Sequence, residues 1–112
     1  MPVPIHERGY PHPELLADTE ILAHRVSDST VRFVDARSGK DYARGHIPGA
    51  VNIDGFGLNG LRTGSEMPEP EAFSHLVGEL GIDERTQVVV YDDGGVSQLA
   101  GMTAWSFLYY GH

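Results

Sequence analysis

The residues best placed to do chemistry follow the apolar run Gln87-Val88-Val89-Val90-Tyr91, where Asp92, Asp93, Gly94, Gly95, Val96 and Ser97 form a short loop ahead of a helical pattern. In open α/β sheets ligands bind outside the carboxyl ends of strands, so this loop is the expected place for a site. Its glycines and the start of the next helix would offer backbone N–H groups to an anion. The two carboxylates oppose that use. They would repel a phosphate or sulfate, while the helix N-terminus stabilises each of them by about 0.3–1 kcal/mol. A DDGG run after a strand is also ordinary turn chemistry, and the expectation is a loop that satisfies its own donors.

Other chemistries find less support. The chain has no cysteine, which removes disulfides, thiolate metal sites and any thiol or persulfide step. His6, His12, His24, His46, His75 and His112 never fall at the i, i+4 spacing of a helical metal site, so neither a metal nor another cofactor is expected. A serine nucleophile needs a sharp strand-to-helix elbow, but that turn holds Asp92 and Asp93, and Ser97 lies further on beside no evident base. Asp35 and Arg37 are spaced as an ion pair that orders the loop after a strand. His46, just before Ile47-Pro48-Gly49, is expected to hold a turn by a hydrogen bond rather than to move protons.

The elements that must position these groups can be read from periodicity. Pro13 suits a first helical turn, and Leu15, Leu16, Leu22, Ala23 and Val26 make one apolar face, which predicts a helix at about 13–26. Ser27-Asp28-Ser29 breaks it, and Val31-Arg32-Phe33-Val34-Asp35 reads as a strand. A short helical turn fits 38–44. Pro48 and Gly49 then turn the chain into a second strand, Val51-Asn52-Ile53. Aperiodic glycines at 55, 57, 60 and 64 mark a long loop over 54–67. From Pro70, the i, i+3, i+4, i+7 spacing of Phe73, Leu76, Val77 and Leu80 predicts a helix ended by Gly81 with Ile82 behind it. The run Val88 to Tyr91 is continuously apolar, as in a strand buried on both faces. A last helix is expected over 98–110, ended by Gly111.

Helices alternating with strands predict an α/β domain with an open, mostly parallel sheet and helices on both faces. The 112 residues, 40% of them hydrophobic, suffice for one such domain at 13–112, preceded by a proline-bearing extended arm at 1–12. Asp and Glu number 16 against 8 Lys and Arg, a formal charge of −8. That charge repels a phosphate backbone, so nucleic acid is not an expected partner. No apolar run approaches the ~20 residues a membrane helix needs. The arm has no signal-peptide core, and a cytoplasmic location is the expectation.

Two stretches carry a resemblance. Val34-Asp35-Ala36-Arg37 followed by Asp41-Tyr42-Ala43-Arg44-Gly45-His46-Ile47-Pro48-Gly49-Ala50-Val51-Asn52-Ile53 resembles the rhodanese signature, a D-x-R strand end before E/D-Y-x-x-G-H-I-P-G-A-x-N-I. Val88 to Tyr91 with its loop, helix and terminal Gly111-His112 is similar to the family's active-site strand, loop and following helix. The resemblance covers about 13–112. It implies a structural role for Asp35, Arg37, Asp41, Tyr42, Gly45, His46, Pro48 and Gly49.

In active members of that family the residue straight after the strand is the cysteine that carries sulfur as a persulfide. The resemblance puts Asp92 there, and Ser97 where an arginine is common. A carboxylate forms no persulfide, so no catalytic residue is expected in this chain. Asp92, Gly81-Ile82-Asp83, the long loop and the Trp105 to His112 segment look most like the silent N-terminal domain of a tandem thiosulfate or 3-mercaptopyruvate sulfurtransferase. The implied partner is a second, cysteine-bearing rhodanese domain. The family also adds a strand after Gly-His, so the sheet is expected to lack its last strand and to expose an edge open to self-association. The alternative is a free-standing inactive module that binds a protein or an anion. A phosphatase of the same fold would need the missing cysteine and arginine too.

Overall fold

The computed structural model describes residues 22–62, 67–93 and 99–112. Three strands and three helices alternate along it: β1 (Val31–Asp35), α1 (Gly39–Arg44), β2 (Val51–Asn52), α2 (Pro70–Glu79), β3 (Gln87–Tyr91) and α3 (Leu99–Tyr109). The strands form one parallel sheet in the order β2-β1-β3. Asp35 stands opposite Asn52 on one side and Tyr91 on the other. All three strands therefore end at the same rim.

Apolar side chains divide between the two faces. On one, Val34, Ile53, Leu58, Phe73, Ile82 and Phe107 pack together, with Val88 and Val90 against them. On the other, Val31, Phe33 and Ala50 meet Leu22, Val26, Ile47, Val89 and Tyr91. Alternation along β1 and β3 sends successive residues to opposite faces, which explains the division. Thus α2 and α3 contribute to one layer and the segment at 22–26 to the other.

Local signals explain the helix ends. Ser38 caps α1 by accepting from the Asp41 N–H at 3.2 Å. Pro70 opens α2, and Gly81 closes it at φ +81°, with the Ile82 N–H on the Val77 carbonyl at 2.9 Å. Gly111 (φ +84°) closes α3 in the same way, through the His112 N–H on the Phe107 carbonyl. Both are glycine caps with the 6→1 bond of the Schellman motif.

Three expectations need adjustment. Most of the helix anticipated at 13–26 lies outside the described residues; Leu22 and Ala23 are helical and the chain then turns. The second strand stops at Asn52. Val88 to Tyr91 do pack on both faces of the sheet, as expected, but their burial is only partial. Among the described residues β3 pairs only with β1, so its outer edge has no strand to shield it. No described helix is long and apolar enough to cross a membrane.

Candidate functional site

At the common rim, Asp35 ends β1 with no exposure to solvent. Its carboxylate accepts from the Arg37 backbone N–H (2.9 Å), from Arg37 Nε (3.0 and 3.1 Å to the two oxygens) and from Arg37 Nη2 (2.7 Å). The Tyr91 hydroxyl, from the end of β3, donates to the same carboxylate at 3.1 Å and accepts from the Ile47 N–H at 3.1 Å. Arg37 Nη2 also reaches the Gly45 carbonyl at 2.6 Å. One buried carboxylate therefore ties β1, β3 and the 45–50 turn together.

Electrostatics follow from this arrangement. Burial pushes the Asp35 carboxyl up, but the Arg37 side chain, the Arg37 N–H and the Tyr91 hydroxyl outweigh it and hold the group below the usual carboxylate value. Burial, with the adjacent Asp35 charge, pushes the Tyr91 phenol up. The Arg37 guanidinium is raised by its bonds to Asp35. All three shifts keep the carboxylate ionised and the phenol protonated, the forms the geometry requires.

The turn beside it is held equally well. The Tyr42 hydroxyl donates to the Ala50 carbonyl at 2.5 Å, the His46 ring stacks on Tyr42 at 3.8 Å, and His46 Nδ1 lies 2.8 Å from the Tyr42 carbonyl. Gly49 turns at φ +82° and Pro48 is exposed. Asp41 sits in the first turn of α1, and Gly45 follows that helix. The Tyr42 and His46 side chains are thus engaged in holding backbone.

Asp92 and Asp93 follow β3 at the rim, Asp92 half-buried and Asp93 exposed. The Asp92 carboxylate accepts from the Ala100 N–H in the first turn of α3 at 2.9 Å. An internal anion thus occupies the positive end of α3. Gly94, Gly95, Val96 and Ser97 lie outside the described residues. The start of α3 also presses against Gly55, where a Cβ would stand 2.6 Å from the Leu99 carbonyl oxygen. Asp92→Ala is expected to destabilise the domain by at least about 1 kcal/mol, the usual loss with a helix cap, as measured by urea unfolding.

Several contacts here have no local sequence signal. Tyr91 was legible only as a strand residue, yet it bridges partners 44 and 56 positions away. Asn52 Nδ2 donates to the carbonyls of Asp35 and Arg37, both at 2.9 Å. Asp54 and Asn59 bond to each other's backbone N–H groups and hold Leu58 and Asn59 at φ 48° and 57°, which buries Leu58. Asparagine and aspartate near glycines do suggest such a turn, but not its partners. Among the described residues no three His, Asp or Glu side chains gather as a metal site would need.

Residues 18–112 match the family model described as the rhodanese-like domain. The chain belongs to the rhodanese-like family. This rhodanese-like domain is 35% identical, over 93% of its length, to the sulfur carrier protein TtuD of Thermus thermophilus. It is 34% identical over 99% of its length to a thiosulfate sulfurtransferase of Corynebacterium glutamicum, and 30% identical over 78% to the 3-mercaptopyruvate sulfurtransferase of Escherichia coli. The matched stretch is only 36%, 36% and 34% of those three proteins, so the chain spans about a third of the length of its relatives.

Proposed function

We propose that this rhodanese-like domain is a structural, catalytically silent part of a thiosulfate or 3-mercaptopyruvate sulfurtransferase, working beside a second domain that carries the cysteine. The observation that carries the reading is that Asp92, straight after β3, caps α3 with its own carboxylate in a chain of 112 residues without a cysteine. Sulfur transfer needs a thiolate that attacks the donor and then holds the second sulfur. A carboxylate can do neither, and an acidic group on the α3 N-terminus leaves no positive end for a sulfur donor's anionic oxygens. The short span of this chain against relatives named as sulfurtransferases, about a third of their length, supports a role beside further sequence.

In this reading the Asp35–Arg37–Tyr91 junction keeps the rim rigid so that it can form one wall of a partner's site. A free-standing module that binds anions is disfavoured by the same Asp92 contact. Incubated with thiosulfate and cyanide, the chain is expected to yield thiocyanate at no more than the uncatalysed rate. Sustained turnover would sink the proposal. A parent gene that encodes a cysteine-bearing rhodanese repeat would agree with it, and a gene without one would return the domain to a free-standing role.

A further inference from the structure

Asn59-Gly60 is the one Asn-Gly step in the chain, and the only other asparagine, Asn52, precedes Ile53. Asparagine before glycine is open to attack from within the chain. The next backbone nitrogen can reach the side-chain amide carbon because glycine puts no side chain in its path. The branched side chain of Ile53 obstructs the same approach at Asn52. Asn59 and Gly60 are both exposed, so water reaches the step.

In the folded chain both reacting groups are held. Asn59 Oδ1 accepts from the Asp54 N–H at 3.2 Å, and Asn59 Nδ2 donates to the Asn52 carbonyl at 2.6 Å. The attacking nitrogen is occupied as well, since the Gly60 N–H donates to the Gly57 carbonyl at 3.0 Å. These three bonds must open before nitrogen and amide carbon can meet. The Asp54 carboxylate braces the turn around them by accepting from the N–H groups of Gly57 at 2.5 Å and Asn59 at 2.8 Å.

We propose that Asn59-Gly60 is a latent site of spontaneous deamidation, closed by this turn in the folded chain and opened when the turn loosens. The Gly60 nitrogen gives up its proton and bonds to Asn59 Cγ. The Cγ–Nδ2 bond breaks, and the amide leaves as ammonia with that proton. One water then opens the five-membered succinimide at either of its carbonyls, giving aspartate or isoaspartate at position 59.

The product no longer fits the turn. A carboxylate there has no N–H for the Asn52 carbonyl, and it adds a negative charge beside Asp54 in a chain whose formal charge is already −8. Isoaspartate also lengthens the backbone between two bonds of the turn, the Leu61 N–H on the Leu58 carbonyl and the Arg62 N–H on the Gly57 carbonyl. The turn buries Leu58 to 1% exposure, and Gly55 at its start lies against Leu99 at the beginning of α3. Conversion therefore loosens a core residue and a contact beside the strand-end rim. The inference is independent of the functional reading of that rim.

The test is to hold the full chain in mildly alkaline buffer, with and without enough guanidinium chloride to unfold it, and to follow each asparagine by peptide mass spectrometry. Unfolded, Asn59 should convert at least about a hundredfold faster than in the native chain, the effect of releasing three hydrogen bonds. Asn52 should stay intact in both. Asp54→Ala, checked for folding by circular dichroism, should convert at least about tenfold faster than the native fold. If that variant does not fold, the comparison of native and unfolded chains decides alone. Asn59→Asp should melt at least about 4 °C below the native chain. Equal rates in the folded and unfolded chain, conversion at Asn52 instead, or no conversion in either state overturns the proposal. An Asn59→Asp variant as stable as the native chain overturns the consequence drawn for Leu58.

Discussion

Asp35→Asn is expected to lower the unfolding free energy by about 3–5 kcal/mol, the cost of breaking a buried ion pair from one side. The asparagine presents a single acceptor oxygen where two now receive Arg37 and Tyr91, and its amide donors face the guanidinium. Arg37 would lose its charged partner and compete with the Tyr91 hydroxyl for one oxygen, which weakens the ties between the strand ends and the 45–50 turn. Small domains are stable by only about 5–15 kcal/mol, so the variant should sit near the edge of folding.

The pH dependence gives a second check on the same group. The folded-state pKa of Asp35 is depressed, so its contribution is present above the unfolded carboxyl value of about 3.9 and is lost as pH falls through the folded value. Urea midpoints of the native chain and Asp35→Asn should lie far apart at neutral pH and converge in acid. Midpoints that stay equally separated as Asp35 becomes protonated would remove the charge from the account. Tyr91 behaves oppositely. Its raised pKa makes its contribution present below about 10 and lost as pH rises through the folded value.

Phe73→Ala is expected to destabilise by a similar amount, about 3–5 kcal/mol, through loss of packing rather than charge. Phe73 is buried, lies edge-on to Phe107 with ring centres 5.4 Å apart, and stacks on Tyr110 at 4.3 Å. It is the α2 residue that reaches both aromatic rings of the α3 side. Truncation would leave a cavity that these rings cannot fill without moving both helices. Phe73→Leu should recover much of the loss in thermal unfolding, since it restores volume without the ring. An alanine variant as stable as the native chain would mean that α2 is held from elsewhere.

Much of the architecture was legible because it rests on local rules. The 3.6-residue period of Phe73, Leu76, Val77 and Leu80, with Pro70 before it and Gly81 after it, specifies α2 without reference to the rest of the chain. The D-x-R pair and the His46-Ile47-Pro48-Gly49-Ala50 turn are likewise short-range. Arg37 meets Asp35 two residues back, and His46 meets Tyr42 four residues back. The burial of β3 is partial for a physical reason. A valine run reports how apolar a strand is, but burial depends on how many neighbours it has, and β3 has one among the described residues.

By itself, then, the sequence determined the order and kind of most elements, the conformations of their glycine caps and the chemistry that no side chain here can perform, since all of these depend on residue type and near neighbours. Tertiary structure alone decided that the Tyr91 hydroxyl would join Asp35 to Ile47, and that Asp92 would cap α3 at Ala100, eight residues downstream. It also decided which side of α3 faces water. Aromatic residues lie on two sides of that helix, Phe107 buried and Trp105 and Tyr109 exposed, and Thr103 and Ser106 can turn inward because their hydroxyls find the Ile53 and Met102 carbonyls at 3.0 Å. A buried polar group is tolerated only where a partner waits, and that partner's position is a property of the folded chain.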